Sequence, residues 1–124
     1  MEKNRKLEDI QRDVQQIQTK LSKLEEERKQ FSLVATEIID LCQSNFIPYR
    51  ELEYYPLSAK EEMDRLEGIE MLKRNEQLLD DFITDRKEEF KKAMSMLEDE
   101  KEELLFQQCR LELQNEEKEE KNGD

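Results

Sequence analysis

Carboxylates are the most abundant ionisable groups in this chain of 124 residues, which carries 33 acidic and 21 basic side chains. Paired carboxylates can perform general acid–base catalysis, but the acidic runs here alternate with lysine at helical spacing, which is typical of a solvated helix face. The chain contains no histidine, and so lacks the commonest general base and metal ligand. Glycine-rich phosphate loops and calcium-binding loops are also absent from the sequence. We therefore expect no enzyme, no cofactor and no metal site.

The two cysteines, Cys42 and Cys109, are the remaining candidates for chemistry. Their spacing does not match a metal site, and both fall on or near apolar helix positions, so we expect buried, unreactive thiols. No apolar stretch follows the first residues as in a signal peptide, and none approaches the roughly 20 residues that cross a bilayer. These features predict an intracellular protein, cytoplasmic or nuclear, without membrane insertion.

The net charge of −12 argues against direct nucleic-acid binding, because such binding depends on lysine and arginine neutralising phosphates. The acidic side chains are unevenly distributed along the chain. Residues 1–44 contain 8 basic and 9 acidic side chains, whereas residues 58–124 contain 12 basic and 22 acidic ones. We expect a protein partner instead.

The clearest pattern is an apolar stripe within residues 5–43, whose members recur at alternating spacings of three and four. This is the spacing of core positions in a coiled coil. The stripe predicts a first helix over residues 1–43 that pairs with a helix of the same or another chain. The predicted interface residues on this helix are Leu7, Ile10, Val14, Ile17, Leu21, Leu24, Arg28 and Phe31.

Arg28 stands at a core position of this stripe. Either its stem covers the seam while the guanidinium stays in water, or it pairs with acids on an antiparallel neighbour. If the helices turn between residues 43 and 59, Arg28 lies near residue 74 and its acidic neighbours are Glu70, Glu76 and Asp80. Beyond Arg28 the stripe widens, which predicts cover by more than one helix. The added apolar residues are Leu33, Val34, Ile39 and Leu41.

Residues 44–57 form a predicted elbow. Pro48 and Pro56 disfavour a continuous helix here, although a short helix over 48–55 is compatible with them. The aromatic side chains of the elbow either cap the end of a hairpin or anchor a partner, and different rings can do each. These predicted interface residues are Phe46, Tyr49, Tyr54 and Tyr55.

Ser58 and Glu61 form a predicted capping box that begins a second, acidic helix over residues 58–117. Its apolar face is less regular than that of the first helix and is interrupted by Arg86 and Lys101. We interpret Gly68 as a glycine tolerated on the exposed face, with close approach of a neighbouring helix as the alternative. Residues 118–124 are predicted to be a disordered acidic tail.

Together these patterns predict an all-α fold, in which two long helices form a coiled-coil hairpin or part of a bundle. Because a lone hairpin buries little apolar surface, we expect a structural subunit of a larger helical complex, paired with another coiled-coil chain or with itself. Two alternatives are a client-binding chaperone of the prefoldin kind, which would need β-hairpins, and a helical tether of the SNARE kind.

Overall fold

The computed structural model describes residues 7–122, and the side chains of residues 7–118. It confirms the all-α fold, a helical hairpin. Helix α1 spans Leu7–Ser44, helix α2 spans Phe46–Glu51 and continues as a 3₁₀ turn over Leu52–Tyr54, and helix α3 spans Ala59–Asn122. The part of the first predicted helix that precedes Leu7 lies outside the described residues.

The elbow is more helical than the prolines predicted. Asn45 keeps right-handed helical dihedral angles, and its backbone N–H donates to the carbonyls of Leu41 and Cys42 at 3.1 and 3.2 Å. Pro48 has no N–H to donate to the carbonyl of Ser44, so the helix bends here without ending. Helical structure therefore continues to Tyr54, about ten residues beyond the predicted end of the first helix.

Helix α3 begins where the capping box predicted. The backbone N–H of Glu61 donates to Ser58 Oγ at 3.1 Å, and the N–H of Glu62 donates to the Ser58 carbonyl at 2.9 Å. The helix continues to Asn122, five residues past the predicted end and into the segment predicted to be a disordered tail. Residues 123 and 124 lie outside the described residues.

The chain divides into two compact units, each combining segments of α1 and α3. The first, here called the terminal unit, joins residues up to Glu27 with residues from Phe90 onward. Its core contains Ile10, which is only 2% exposed, together with buried Ile17 and Leu21. The ammonium of Lys101 donates to Gln18 Oε1 at 2.6 Å, which links the two helices of this unit.

The second unit, here called the central unit, comprises Arg28–Glu89. Its buried apolar side chains are Ala35 on α1, Phe46 on α2 and Ile83 on α3. The rings of Phe31 and Phe82 meet edge to face with centroids 6.4 Å apart. Phe31 contacts Phe82 at one end of this unit, and Tyr49 contacts Gly68 at the other. Because residue numbers rise along α1–α2 as they fall along α3, the two arms run antiparallel.

The predicted register between the helices is wrong. The sequence placed Arg28 beside residue 74, whereas Phe31, one turn further along α1, contacts Phe82. The cause is the helical elbow: because α2 and the 3₁₀ turn extend the first arm to Tyr54, every residue of that arm meets α3 several turns later than predicted.

Candidate protein interface

The predicted seam of α1 is occupied within the chain. In the terminal unit Ile10, Ile17 and Leu21 are buried, and the other three seam residues are half-buried. Leu24 lines an open groove together with Ala93 and Leu97 of α3. In this structure the seam of the terminal unit therefore packs within the chain. The half-buried residues are Leu7, Val14 and Leu24.

The acidic residues predicted to neighbour Arg28 lie at a different level of the hairpin. Arg28 is exposed and lies one turn before Phe31, so it is level with the region of Phe82 and Arg86 rather than residue 74. Glu76 instead lines a groove beside Phe46 and Arg50. Arg86 interrupts the apolar pattern of the second helix in the sequence. Its guanidinium lies 6.0 Å from the centroid of the Phe31 ring, which is a cation–π contact between the helices.

Two of the elbow rings stabilise the hairpin. Phe46 is buried, and the guanidinium of Arg50 lies 5.7 Å from its ring centroid. Tyr49 is half-buried, and its ring occupies the space that a Cβ atom would need at Gly68. The favoured interpretation of Gly68 as a tolerated exposed glycine is therefore wrong, and the alternative of close helix approach is correct.

The other two elbow rings face solvent. Tyr54 is 87% exposed at the end of the 3₁₀ turn, and Tyr55, in extended backbone before Pro56, is 65% exposed. The aromatic residues of the elbow thus divide into a packed pair and an exposed pair. Only the exposed pair is available to a partner.

A second apolar stripe lies on α1 beside the buried one in the central unit. Val34, Ile38 and Leu41 are exposed, and each immediately precedes a residue that is buried or half-buried. Because successive helix residues are 100° apart, this stripe is rotated by roughly 100° from the side of α1 that packs on α3. Val34 and Leu41 are two of the four apolar residues that widen the pattern in the sequence.

Helix α3 carries a matching stripe, whose residues are not among the predicted interface residues. Met71, Leu78 and Phe82 are exposed, and each again immediately precedes a residue that packs inside the hairpin. Their spacing of seven and four residues is helical, but each stands beside a core residue, so spacing alone does not separate this stripe from the buried one.

The two stripes lie on the same side of the central unit. In antiparallel helices that face each other, residues one position before the core residue of each helix point to the same side. The contact of Phe31 with the partly exposed Phe82 joins the stripes across the helix boundary. We call the combined surface the apolar face; its members are Val34, Ile38, Leu41, Met71, Leu78 and Phe82.

The apolar face is large for a chain of this size. From the exposed fractions of its six side chains it presents on the order of 600 Å², the upper end of the patches that monomeric proteins expose. In the terminal unit the equivalent positions of α1, immediately before buried residues, are polar: Asp9, Gln16 and Lys20. On α1 the exposed apolar stripe is therefore confined to the central unit.

Acidic side chains outnumber basic ones around the apolar face, and Arg74, which stands on the α3 stripe between Met71 and Leu78, is paired with Glu70 at 3.8 Å. Asp64 and Glu89 stand seven residues before Met71 and seven after Phe82, so they continue the stripe of α3 as carboxylates. The guanidinium of Arg86 donates to Glu89 at 3.0 Å. The central unit as a whole contains 15 acidic and 9 basic side chains, which leaves an excess of negative charge around the face.

Ionisable groups elsewhere form local pairs. The Arg65 guanidinium donates two hydrogen bonds to Glu62 in the first turns of α3, at 2.5 and 3.0 Å. These bonds lower the pKa of Glu62 and raise that of Arg65, and desolvation opposes both effects. Within the described residues no cluster of three metal-ligating side chains occurs.

Both cysteines are free thiols. Cys42 is half-buried in the central unit, in keeping with its position on the apolar stripe of α1. Cys109 is exposed, so the expectation of a buried thiol is wrong at that position. The reason is that the apolar stripe of α3 drifts around the helix, so nearness to an apolar residue in sequence does not imply burial.

Comparison with protein-family models, with curated proteins and with solved structures finds no match to this chain. Across residues 7–122, neither long helix contains an apolar stretch that could span a bilayer.

Proposed function

We propose that this protein is a non-enzymatic assembly subunit of a larger helical complex and acts by helix–helix pairing. The observation that carries the proposal is the apolar face of the central unit. Six large apolar side chains on one side of a hairpin are expected to be covered in the functional state, because exposed patches of this size mark interaction sites.

The hairpin enters this complex as a preformed unit. Its α1 seam packs against its own α3. A partner therefore binds at the side of the hairpin and does not form a coiled coil with the α1 seam. The exposed pair, Tyr54 and Tyr55, is a second proposed contact, because tyrosine is enriched among the residues that dominate binding energy.

The lack of histidine supports a role without catalysis, and the acidic surface supports a protein partner over nucleic acid. We place the complex inside the cell, in the cytoplasm or nucleus. The chaperone alternative has less support, because it needs β-hairpins, whereas residues 44–57 are helical as far as Tyr54 and form no β-hairpin.

The test compares two variants in the cells from which the protein comes. Leu78 and Leu33 are both 68% exposed on the central unit, but only Leu78 belongs to the apolar face. Tagged wild-type protein and the Leu33→Glu variant should elute from size exclusion within a complex larger than the monomer. The Leu78→Glu variant should elute as the monomer. Elution of wild-type protein as a monomer, or equal behaviour of the two variants, would refute the proposal.

A further inference from the structure

The occupant of the apolar face can be specified further by the charges around it. Any occupant must bury the six apolar side chains and also meet the carboxylates beside them. A helix fits the shape, because two antiparallel helices leave a shallow groove on each side into which a third helix packs. An extended strand would find no unpaired backbone edge there, since this region of both arms is helical.

We infer that the apolar face binds an amphipathic helix of another protein, with an apolar stripe bordered by lysine or arginine. This inference rests on the proposed function and specifies its partner. Asp64 and Glu67 lie along the edge of the α3 stripe before and beside Met71, Asp85 follows Phe82, and Glu37 borders the stripe of α1. Basic residues flanking the incoming apolar stripe would lie opposite these carboxylates.

A second copy of this chain is the less favourable occupant. Each copy carries a net charge of −12 and presents the same acidic borders, so face-to-face dimerisation would bring like charges together. Each copy also presents on the order of 600 Å² of apolar surface, below the roughly 800 Å² per partner of a standard interface. A basic helix contributes favourable electrostatics that a second copy lacks.

The experiment titrates the full-length protein with three fluorescent peptides of about 18 residues, the length of five helical turns. The first has a leucine stripe bordered by lysine, the second has the same stripe bordered by glutamate, and the third has the lysine peptide's composition in scrambled order. The lysine-bordered peptide should bind at least about tenfold more tightly than either control, and its affinity should fall with added salt.

The Leu78→Glu variant separates the apolar face from general attraction between a basic peptide and an acidic protein. This change adds a negative charge, so general attraction would rise, whereas docking on the face should weaken by about tenfold or more. The Leu33→Glu variant adds the same charge away from the face and should keep wild-type affinity.

Three results would overturn the inference. Equal binding of the lysine- and glutamate-bordered peptides would remove the electrostatic argument. Undiminished binding by Leu78→Glu would place the peptide elsewhere. A wild-type dimer in sedimentation velocity that Leu78→Glu dissociates would identify the second copy as the occupant. Any of these can occur while the cellular complex still depends on Leu78, so failure here is distinguishable from failure of the proposed function.

Discussion

The ring of Tyr49 in the elbow lies against the backbone of Gly68 in α3. A Cβ atom built at position 68 would lie 2.8 Å from Tyr49 Cζ and 3.0 Å from its Oη, closer than van der Waals contact permits. Glycine thus allows α2 to approach α3 closely, and the approach keeps the elbow helical and packed. Glycine at position 68 lowers the helix stability by about 1 kcal/mol relative to alanine, and it is the residue that permits this contact.

Gly68→Ala should destabilise the protein although alanine is the better helix former. The added methyl group forces the Tyr49 ring to move, and overpacking of this kind costs about 1–3 kcal/mol. Chemical denaturation followed by circular dichroism measures the change.

The control is the same substitution in a Tyr49→Ala background, where the space is open. There Gly68→Ala should stabilise the protein by up to about 1 kcal/mol, the helix-propensity difference alone. Additive effects of the two substitutions would contradict the contact between these residues.

Gly68 and Pro48 also show where the sequence was insufficient. The first helix and the Ser58 cap rest on local spacing, and the structure contains both, although Arg28 at a core position of the predicted stripe is exposed. The register between the helices depends on whether the chain stays helical through Asn45 and Pro48, which local propensity disfavoured. Packing of Phe46 and Tyr49 on α3 overrides that preference, and packing is a tertiary property that a single sequence does not display.

The corrected register can be checked in the terminal unit. With Cys42→Ser and Cys109→Ser as background, Gln18→Cys together with Lys101→Cys should be joined within one molecule by a short bismaleimide crosslinker, because the native side chains at these positions are in contact. Gln18→Cys with Glu112→Cys is the matched control, since position 112 is on the same face of α3 three turns further on.

Mass spectrometry after crosslinking distinguishes the products. We expect a crosslinked monomer for the 18–101 pair and no intramolecular product for the 18–112 pair. Exclusively intermolecular products from the first pair would mean that α1 pairs with another chain.

The exposed and packed aromatic pairs of the elbow should respond differently to truncation. Tyr54→Ala with Tyr55→Ala should leave helicity and melting temperature unchanged, because both rings are in water, while weakening the cellular complex by about 2 kcal/mol. Phe46→Ala should instead destabilise the fold by about 3–5 kcal/mol, as expected for a buried ring. Loss of helicity in the double tyrosine variant would show that these rings are structural.

The Glu62–Arg65 pair predicts a specific pH dependence of stability. Hydrogen bonds from Arg65 lower the folded-state pKa of Glu62 below its ordinary value of 4.5. A carboxylate with a depressed folded pKa stabilises the protein above its unfolded pKa, and this stabilisation is lost as the pH falls through the folded pKa.

Thermal melts of wild-type protein and Glu62→Gln isolate this effect from the general relief of charge repulsion in acid. The wild-type protein should have the higher melting temperature at pH 7, and the difference should shrink as the pH falls below 4.5. A difference that is constant from pH 7 to pH 3 would contradict the assignment to this ion pair.

The candidate interface illustrates a second limit of the sequence. The apolar residues of α1 beyond Arg28 were predicted to be too many for one neighbour, and two of the added residues, Val34 and Leu41, are exposed on the apolar face. Met71 and Leu78 were missed because each stands beside a stronger core residue, and sequence spacing alone does not separate two adjacent stripes on a drifting helix. Burial in the folded hairpin distinguishes them.

Thiol accessibility in the assembled complex tests the central claim most directly. Single cysteines are introduced by Leu78→Cys or Leu33→Cys in the Cys42→Ser, Cys109→Ser background, and maleimide labelling rates are measured for the isolated protein and for the complex purified from cells. The two positions are equally exposed in the free chain, so both should label at similar rates there. In the complex, labelling at position 78 should slow by about tenfold or more while position 33 stays unchanged, because burial of a thiol in an interface limits its reaction. Equal rates at both positions in the complex, or protection of position 33 instead, would show that the partner does not cover the apolar face.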